Sequence, residues 1–182
     1  MTTVKEIEIL DAEGLKRTIT RITHQILEKN KGAKDLVLVG LRTRGVFISN
    51  RIAQFIKRTE KIAVPQGIID ATLYRDDIGI KGPSIELRKT ELDFPLEGKT
   101  VVLVDDVLFT GRTTRAALDA IMDIGRPNFI RLAVLIDRGN RELPIEANFV
   151  GRTVPTTREE MINVLLKETD GIDRVLLCRK TK

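Results

Sequence analysis

The sequence contains very few of the residues that form covalent or soft-metal scaffolds. It has one cysteine (Cys178), one histidine (His24) and no tryptophan among its 182 residues. A single cysteine forms no internal disulfide, and one cysteine with one histidine provides too few ligands for a zinc site. Any metal must therefore be a hard ion bound through oxygen atoms. Aromatic residues are only 4% of the chain, which disfavours the base-stacking surfaces of RNA-recognition and oligonucleotide-binding folds.

Long hydrophobic runs are also absent. No stretch approaches the ~18 consecutive apolar residues that span a membrane, and the opening residues MTTVKEIEIL mix charges with apolar side chains, unlike a secretory signal. We therefore expect a cytoplasmic protein with no membrane partner. A content of 42% hydrophobic and 31% charged residues predicts one folded domain over residues 1–182. The net charge of +5 favours anionic partners such as phosphates or RNA without selecting one.

Helical and strand-like segments alternate along the chain, which predicts an α/β fold with a mainly parallel sheet flanked by helices. The predicted strands, which are short apolar runs, cover 36–40, 64–74, 100–104 and 130–136. The predicted helices, which have apolar residues at helical spacing, cover 11–30, 47–56 and 113–124. The apolar runs at 162–166 and 174–178 predict a C-terminal hairpin. Residues 75–95 show no sustained period, and a long segment of this kind is typical of a flexible functional lid or of disorder.

Residues 101–113 have the pattern of a sugar-phosphate site. A buried strand is followed by Asp105 and Asp106, then by a loop with Gly111 between threonines, and then by a helix. Ligands bind at this edge of open α/β sheets, and the free N–H groups of a helix N-terminus over Thr110 to Thr114 would surround a phosphate monoester. Carboxylates repel phosphate but accept hydrogen bonds from sugar hydroxyls or lie beside hydrated Mg²⁺, so we predict a ribose-5-phosphate site.

Three other interpretations explain part of this pattern. A plain strand-to-helix turn would use its threonines as caps, but two carboxylates beside an apolar strand would then have no purpose. A Walker A loop needs a lysine after its second glycine, where this chain has Arg112, and Asp106 replaces its first glycine. A phospho-accepting receiver domain also has an acidic pair after a strand, but near its N-terminus rather than past mid-chain.

Residues 101–113 resemble the motif that binds 5-phosphoribosyl-1-pyrophosphate (PRPP) in type I phosphoribosyltransferases. The resemblance extends over nearly the whole chain to the PyrR family, through VGLRTRG at 39–45, DATLYRDD at 70–77 and DRGNRELP at 137–144. PyrR proteins regulate pyrimidine operons by transcription attenuation, and they also convert uracil and PRPP to UMP and pyrophosphate. The resemblance therefore implies a type I phosphoribosyltransferase fold, both activities, PRPP, uracil and UMP or UTP as ligands, and Mg²⁺ as the cofactor.

The resemblance also implies roles for individual residues. The expected catalytic residues, which meet pyrophosphate or belong to a lid over PRPP, are Arg42, Thr43, Arg44, Arg75 and Asp76. The expected PRPP- and nucleotide-binding residues are Asp105, Asp106, Val107, Leu108, Phe109, Thr110, Gly111, Arg112, Thr113, Thr114, Ile136, Asp137 and Arg138. Asp137 is further expected near Mg²⁺, and the backbone around it is expected to contact the base. Related purine enzymes have an acid where this chain has Phe109, which transfers no proton, so a pyrimidine base is favoured.

The first predicted helix has a polar face opposite its apolar stripe. Thr20, Arg21 and His24 lie on this face, with Arg17 beside them, and such a face is often simply solvated. PyrR proteins bind a hairpin in pyrimidine leader mRNA through a basic dimer surface. The resemblance therefore implies a homodimer or larger homo-oligomer and an RNA-binding set made of Thr20, Arg21, His24, Arg141 and Arg152.

Two positions depart from the family pattern on the expected RNA face. Asn140 stands where histidine is usual, and Glu146 places an acid where a basic residue is common. Both changes remove positive charge, so we expect an altered RNA affinity or sequence preference. Two alternatives stay open: a plain uracil phosphoribosyltransferase of pyrimidine salvage without RNA binding, and a regulator whose catalysis is vestigial.

Overall fold

The computed structural model describes residues 3–70 and 90–181, which form two sheets and four helices. In chain order the elements are β1 (Thr3–Leu10), α1 (Ala12–Asn30), β2 (Leu36–Leu41), α2 (Arg44–Glu60), β3 (Gln66–Ile69), β4 (Thr100–Leu108), α3 (Arg112–Ile124), β5 (Phe129–Asp137), β6 (Phe149–Thr153), β7 (Met161–Leu165), α4 (Lys167–Asp170) and β8 (Arg174–Thr181). No helix within these described ranges combines the length and the apolar character needed to cross a membrane.

The large sheet has five parallel strands in the order β3-β2-β4-β5-β6. Alternate residues of a strand face opposite layers: Leu36 and Leu38 pack with α1 and α2, whereas Val37 and Val39 pack in the cluster that contains α3. Helices therefore cover both faces, which explains why the central strands are continuous apolar runs. The predicted α/β class with a mainly parallel sheet is confirmed.

The small sheet has three antiparallel strands in the order β1-β8-β7. The predicted C-terminal hairpin is confirmed, because β7 pairs with β8 and places Ile162 opposite Leu177. Two strands were missed by the sequence interpretation. Strand β1 pairs with β8 at the far end of the chain, and β6 is a five-residue edge strand beside β5.

Two predicted strand boundaries were wrong. The strand predicted at 100–104 continues to Leu108, because Asp105, Val107 and Leu108 still pair with β5. The strand predicted at 64–74 is observed only at Gln66–Ile69, and residues 71–74 lie outside the described ranges. Most of the predicted lid, with Arg75 and Asp76, also lies outside them. Where the described chain resumes, Glu91 and Ile68 exchange both backbone hydrogen bonds.

An arginine on α2 binds the small sheet through two carboxylates. The Arg51 guanidinium is bidentate to Glu168 (Nε–Oε1 2.9 Å, Nη2–Oε2 2.6 Å) and to Asp173 (Nη1–Oδ2 3.0 Å, Nη2–Oδ1 2.6 Å). Paired charge-assisted hydrogen bonds of this geometry are directional, so they define the orientation of both partners. They hold the turn that precedes β8 against α2.

These carboxylates predict an acid-dependent stability. Hydrogen bonding from Arg51 lowers the pKa of Glu168 below its usual 4.5, and in Asp173 burial raises the pKa but hydrogen bonds from Arg51 and the Lys167 amide outweigh it. A group whose pKa is lower in the folded chain stabilises the fold above its unfolded pKa, and this stabilisation disappears as the pH falls through the folded value.

We therefore expect the double variant Glu168→Gln/Asp173→Asn to be less stable than the wild type at pH 7. The difference should shrink as the pH falls below about 4.5, because the wild-type carboxyls become protonated at a pH below their ordinary pKa. Urea unfolding measured at several pH values tests this, with the exposed Glu159→Gln as the control. A stability difference that is the same at pH 7 and at about pH 2 would contradict the assigned ion pairs.

Candidate active site

Three neighbouring strands of the large sheet end at one edge. Parallel pairing places Gly40 of β2 opposite Val104 of β4, and Leu108 of β4 opposite Asp137 of β5. The segments that follow these strands are therefore adjacent, and this edge is where open α/β sheets bind ligands. The arginine turn (residues 42–44), the acidic pair of β4, the glycine loop (residues 108–113, starting at the last residue of β4) and the end of β5 meet here.

A glycine allows the arginine turn to approach β4. A Cβ atom on Gly45 would lie 2.3 Å from the Val104 carbonyl oxygen and 3.2 Å from the Asp105 Cα. The start of α2 thus contacts the backbone of β4 directly, at the residue where the acidic pair begins. Any side chain at position 45 would push the arginine turn away from the two carboxylates.

The glycine loop presents the N-terminus of α3 to a small cavity. Gly111 precedes the helix with φ of +91°, and a long contact of 3.4 Å joins the Arg112 N–H to Thr110 Oγ1. The backbone amides and the dipole of a helix N-terminus favour an anion. The cavity measures about 140 Å³ and is lined by Asp105, Val107, Leu108, Phe109, Thr110, Gly111, Thr113 and Thr114.

Larger surface grooves lie elsewhere, but their linings are chemically different. A groove of about 670 Å³ follows the turn between α3 and β5, at the opposite end of the sheet strands. The small cavity joins the start of α3 to hydroxyls and a carboxylate at the carboxyl end of the strands, whereas the groove of about 670 Å³ lies at their other end. We therefore assign the candidate site by its chemistry rather than by its size.

The acidic pair borders this cavity. Asp105 lines it, and Asp105 Oδ1 accepts a hydrogen bond of 2.9 Å from the Asp106 backbone N–H. Both side chains are half-buried at the end of a strand whose preceding residues are fully buried. Carboxylate oxygens at this place next to an anion-binding helix terminus suit a ligand that carries both a phosphate and hydroxyl groups.

The shape of the glycine loop is held by a bracing segment, residues 138–145. Successive carbonyls of the loop accept hydrogen bonds from this segment: Leu108 O from Arg138 N at 3.1 Å, Phe109 O from Arg141 Nη1 at 2.8 Å, and Thr110 O from Glu142 N at 2.9 Å. The side chains of Arg112 and Glu142 add an ion pair of 2.7 Å. The amides of α3 therefore depend on the chain that follows β5.

Arg141 lies in this brace rather than on the polar face of α1. Its Nη2 binds Asp137 Oδ2 at 2.5 Å and its Nε binds the Ile145 carbonyl at 3.0 Å. The other oxygen of Asp137 accepts the Gly139 N–H at 3.0 Å. An RNA contact by Arg141, which stays a prediction, would require its side chain to leave these bonds.

Arg138 and Phe109 form a stacked pair beside the site. The Arg138 guanidinium carbon lies 3.9 Å from the centroid of the Phe109 ring, and the residue is only 6% exposed. Its Nε donates to Thr156 Oγ1 at 2.9 Å and its Nη2 to the Thr157 carbonyl at 2.9 Å. Burial lowers the pKa of Arg138, which as an arginine remains charged. The sequence carries no signal for this cation–π contact, which orients Phe109.

The two arginines of the arginine turn have acidic partners on different elements. Arg44 Nη2 binds Asp170 Oδ1 of α4 at 3.1 Å, whereas Arg42 Nε lies 3.9 Å from Asp70 Oδ2 beyond β3. Thr43 is exposed between them and immediately precedes α2, and the Arg42–Thr43 peptide bond is cis. The turn is thus tied both to the large sheet and to the small sheet.

Four of the five predicted RNA contacts lie around α1 and β6. Arg21 donates to the Val150 carbonyl at 3.4 Å and also to the Gly151 carbonyl, and His24 packs edge-on against Phe55 at 5.1 Å. Thr20, Arg21 and His24 line a groove of about 390 Å³, which also includes Glu13, Lys16, Arg17, Gln25 and Glu28. The exposed Arg152 follows Gly151 and binds the Ile9 carbonyl at 2.6 Å.

Comparison with known proteins agrees with this geometry. The model of the phosphoribosyl transferase domain matches residues 7–165. Hypoxanthine phosphoribosyltransferase from Staphylococcus aureus superposes with a TM-score of 0.69 at 19% identity, covering 93% of this chain and 90% of the other. The enzyme from Trypanosoma cruzi in complex with IMP gives 0.70 at 15% identity, covering 94% and 89%. These likenesses and the site define the class: the chain has a phosphoribosyl transferase domain.

Closer relatives define the family. The chain is 55% identical over 177 residues to the bifunctional protein PyrR of Roseiflexus sp. (strain RS-1), covering 97% of both chains. It is 57% identical over 174 residues to the bifunctional protein PyrR of Chloroflexus aurantiacus, covering 96% of both. The chain belongs to the PyrR family.

The left-handed backbone at Gly111 generates a prediction. We expect Gly111→Ala to weaken UMP binding about tenfold, because an L-residue at this φ costs about 1–2 kcal/mol and its Cβ would lie 3.3 Å from the Ile145 Cβ. Titration calorimetry with UMP measures this. Gly98→Ala is the matched control, since Gly98 has φ of +74° with open space around it, far from the cavity. Equal UMP affinity in all three proteins would refute the assignment.

Proposed function

We propose that this protein is a pyrimidine regulator with two activities. It converts uracil and PRPP to UMP and pyrophosphate, and it binds the leader mRNA hairpin of pyrimidine operons in a manner that depends on bound UMP or UTP. The observation that carries the proposal is the convergence, at one sheet edge, of amides for a phosphate, carboxylates for a diol and arginines for pyrophosphate. Membership of the PyrR family supports it.

In the proposed complex each group of PRPP has its own part of the site. The amides and hydroxyls from Thr110 to Thr114 hold the 5-phosphate, and Asp105 and Asp106 accept hydrogen bonds from the ribose hydroxyls. The bracing segment keeps these donors in place before the substrate arrives. Pre-oriented donors lose little free energy to reorganisation when the transition state forms.

The arginine turn faces the leaving group in this arrangement. Transfer breaks the bond between C1 and the pyrophosphate oxygen while the base nitrogen attacks C1, so negative charge grows on pyrophosphate as positive charge grows on the ribose. Arg42, Thr43 and Arg44 supply cationic and hydroxyl donors to the pyrophosphate oxygens. Arg75 and Asp76, on the proposed lid, complete the catalytic set by closing over PRPP and excluding water.

The oxygen ligands of the site fit Mg²⁺ that arrives with PRPP. Among residues 3–70 and 90–181, no three His, Cys, Asp or Glu side chains form a metal cluster. Mg²⁺ commonly keeps waters and uses one or two carboxylates plus substrate phosphates, which is what Asp105 and Asp106 offer beside the proposed PRPP site. Bound Mg²⁺ would neutralise pyrophosphate charge. Asp137 acts indirectly, since both of its oxygens already accept protein hydrogen bonds.

The base lies between the glycine loop and the end of β5 in this proposal. Backbone groups from Ile136 to Arg138 contact its polar edge, and Phe109 offers an apolar, non-acidic neighbour that Arg138 holds in place. A purine that relies on an acid at this position would lack its proton donor. This supports uracil as the acceptor base.

The proposed RNA surface joins α1 to β6. Thr20, Arg21, His24 and Arg152 lie there, whereas Arg141 would link this surface to the nucleotide site through the brace. Occupation of the site by UMP would favour the RNA-binding state. A plain salvage transferase is the second candidate, because the guanidinium groups of Arg21 and Arg152 already donate to backbone carbonyls of the protein itself.

The carboxylate assignment predicts the effect of Asp105→Asn/Asp106→Asn. We expect loss of UMP formation by at least about 100-fold with the fold retained, because amides bind ribose hydroxyls and hydrated Mg²⁺ less strongly than carboxylates do. Formation of UMP from uracil and PRPP is measured by product analysis. Asp123→Asn, on the surface at the far end of α3, is the control. A double variant that transfers at the wild-type rate would remove the proposed roles of both acids.

The RNA assignment predicts the effect of Arg17→Gln, beside Thr20 and His24 in the α1 groove. We expect leader RNA affinity to fall about tenfold and the salt dependence to decrease by about one counterion. Filter binding with and without UMP measures both, and Arg126→Gln is the matched surface control. If the wild-type protein binds leader RNA only at the salt-sensitive background level and UMP has no effect, the proposed regulatory activity is refuted. The plain salvage transferase is then the function that the site supports.

A further inference from the structure

An acidic turn of the small sheet faces one side of α2. The acidic turn, residues 166–173, carries Glu168, Asp170 and Asp173, and its partners are Arg44 and Arg51, which lie seven residues apart and therefore on one helix face. Arg51 forms ion pairs with Glu168 and Asp173 and so holds the turn against α2. The third acid, Asp170, meets Arg44 in the arginine turn.

Within residues 3–70 and 90–181, Asp170 is the hydrogen-bond partner of the Arg44 guanidinium. Its Nη2 donates to both oxygens of Asp170, at 3.1 and 3.3 Å. Its Nε is buried and has no hydrogen-bond partner among the residues that the structure describes. A buried donor of a charged group is costly to leave unpaired, so this N–H is suited to an acceptor supplied by a ligand.

Asp170 is itself fixed before any ligand binds. Its Oδ2 accepts the Leu166 backbone N–H at 2.9 Å and the Thr169 hydroxyl at 2.7 Å. These bonds, reinforced by the charge of Arg44, lower the pKa of Asp170, so the carboxylate is ionised at neutral pH. A carboxylate held by its own turn cannot follow Arg44 if the arginine moves. The acidic turn therefore defines where the guanidinium lies.

We propose that Asp170 is a positioning residue for pyrophosphate: it holds Arg44 so that the remaining guanidinium donors point to the leaving group. The inference rests on the proposed transferase function and adds a residue from α4, between β7 and β8 of the small sheet, 126 positions away in the chain. The alternative is that Asp170 competes with pyrophosphate for Arg44. In that case the carboxylate would weaken pyrophosphate binding, and its removal would strengthen it.

Kinetics of the reverse reaction, UMP plus pyrophosphate to PRPP plus uracil, test the two roles. We expect Asp170→Asn to raise KM for pyrophosphate about tenfold, because the amide keeps the turn but loses the charge-assisted bond to Arg44. KM for UMP should change little. A lower KM for pyrophosphate would show competition, and an unchanged KM would show a purely structural contact; either result overturns the proposal.

A double-mutant cycle with Arg44→Gln separates positioning from general damage. If Asp170 acts through Arg44, then Asp170→Asn should have little further effect on KM for pyrophosphate when Arg44 is already glutamine. Additive effects would overturn the proposal. Glu8→Gln, which breaks an exposed ion pair to Arg174 on the same sheet, is the control and should leave both KM values unchanged.

A second variant keeps the test valid if Asp170→Asn does not fold. Thr169→Val removes the hydroxyl bond to Asp170 but leaves its charge, so we expect a smaller rise in KM for pyrophosphate, about threefold. No rise would overturn the proposal. A wild-type protein that forms no PRPP or UMP would instead refute the proposed function, which distinguishes the two failures.

Discussion

The pairing of β4 between two parallel neighbours is the constraint on which the site depends. The four residues from Val101 to Val104 are fully buried between the helix layers, so the strand has little freedom to shift. A shift of one residue would exchange the faces of every apolar side chain. Because the register is held in this way, the carboxyl ends of β2, β4 and β5 lie at the same edge of the sheet, with β4 and β5 extending past β2, and short polar segments that are far apart in sequence become one site.

At this edge, the binding groups are held in position by residues that do not themselves line the cavity. The brace after β5 supplies donors to three successive carbonyls of the glycine loop, and Phe109 is oriented by Arg138. The arginine turn is held through Asp170 by the small sheet. Binding groups placed by such second contacts can be ready before the ligand arrives, which is how a shallow opening of this size gains specificity.

Prediction from the sequence worked best where local pattern and burial agree. Helix α1 was predicted over 11–30 from its apolar spacing, and in the structure the side chain of Asp11 caps it by accepting the Gly14 N–H; the central strands were predicted from their apolar runs. The end of β4 was missed because Asp105 and Asp106 look like a loop, although pairing with β5 continues past them. Strand β1 was missed because its partner β8 is more than 160 residues away.

The sequence by itself determined the class of fold, the family and the segments expected to bind phosphate, hydroxyl groups and pyrophosphate. The hydrophobic periodicity indicates the fold class, and contiguous motifs indicate the family and the binding segments. Only the tertiary structure decided which distant side chains meet. The bonds of Arg51 with Glu168 and Asp173 and of Arg44 with Asp170 are examples. Ion pairs between separate segments leave no periodic trace, since each depends on how whole elements pack rather than on local spacing.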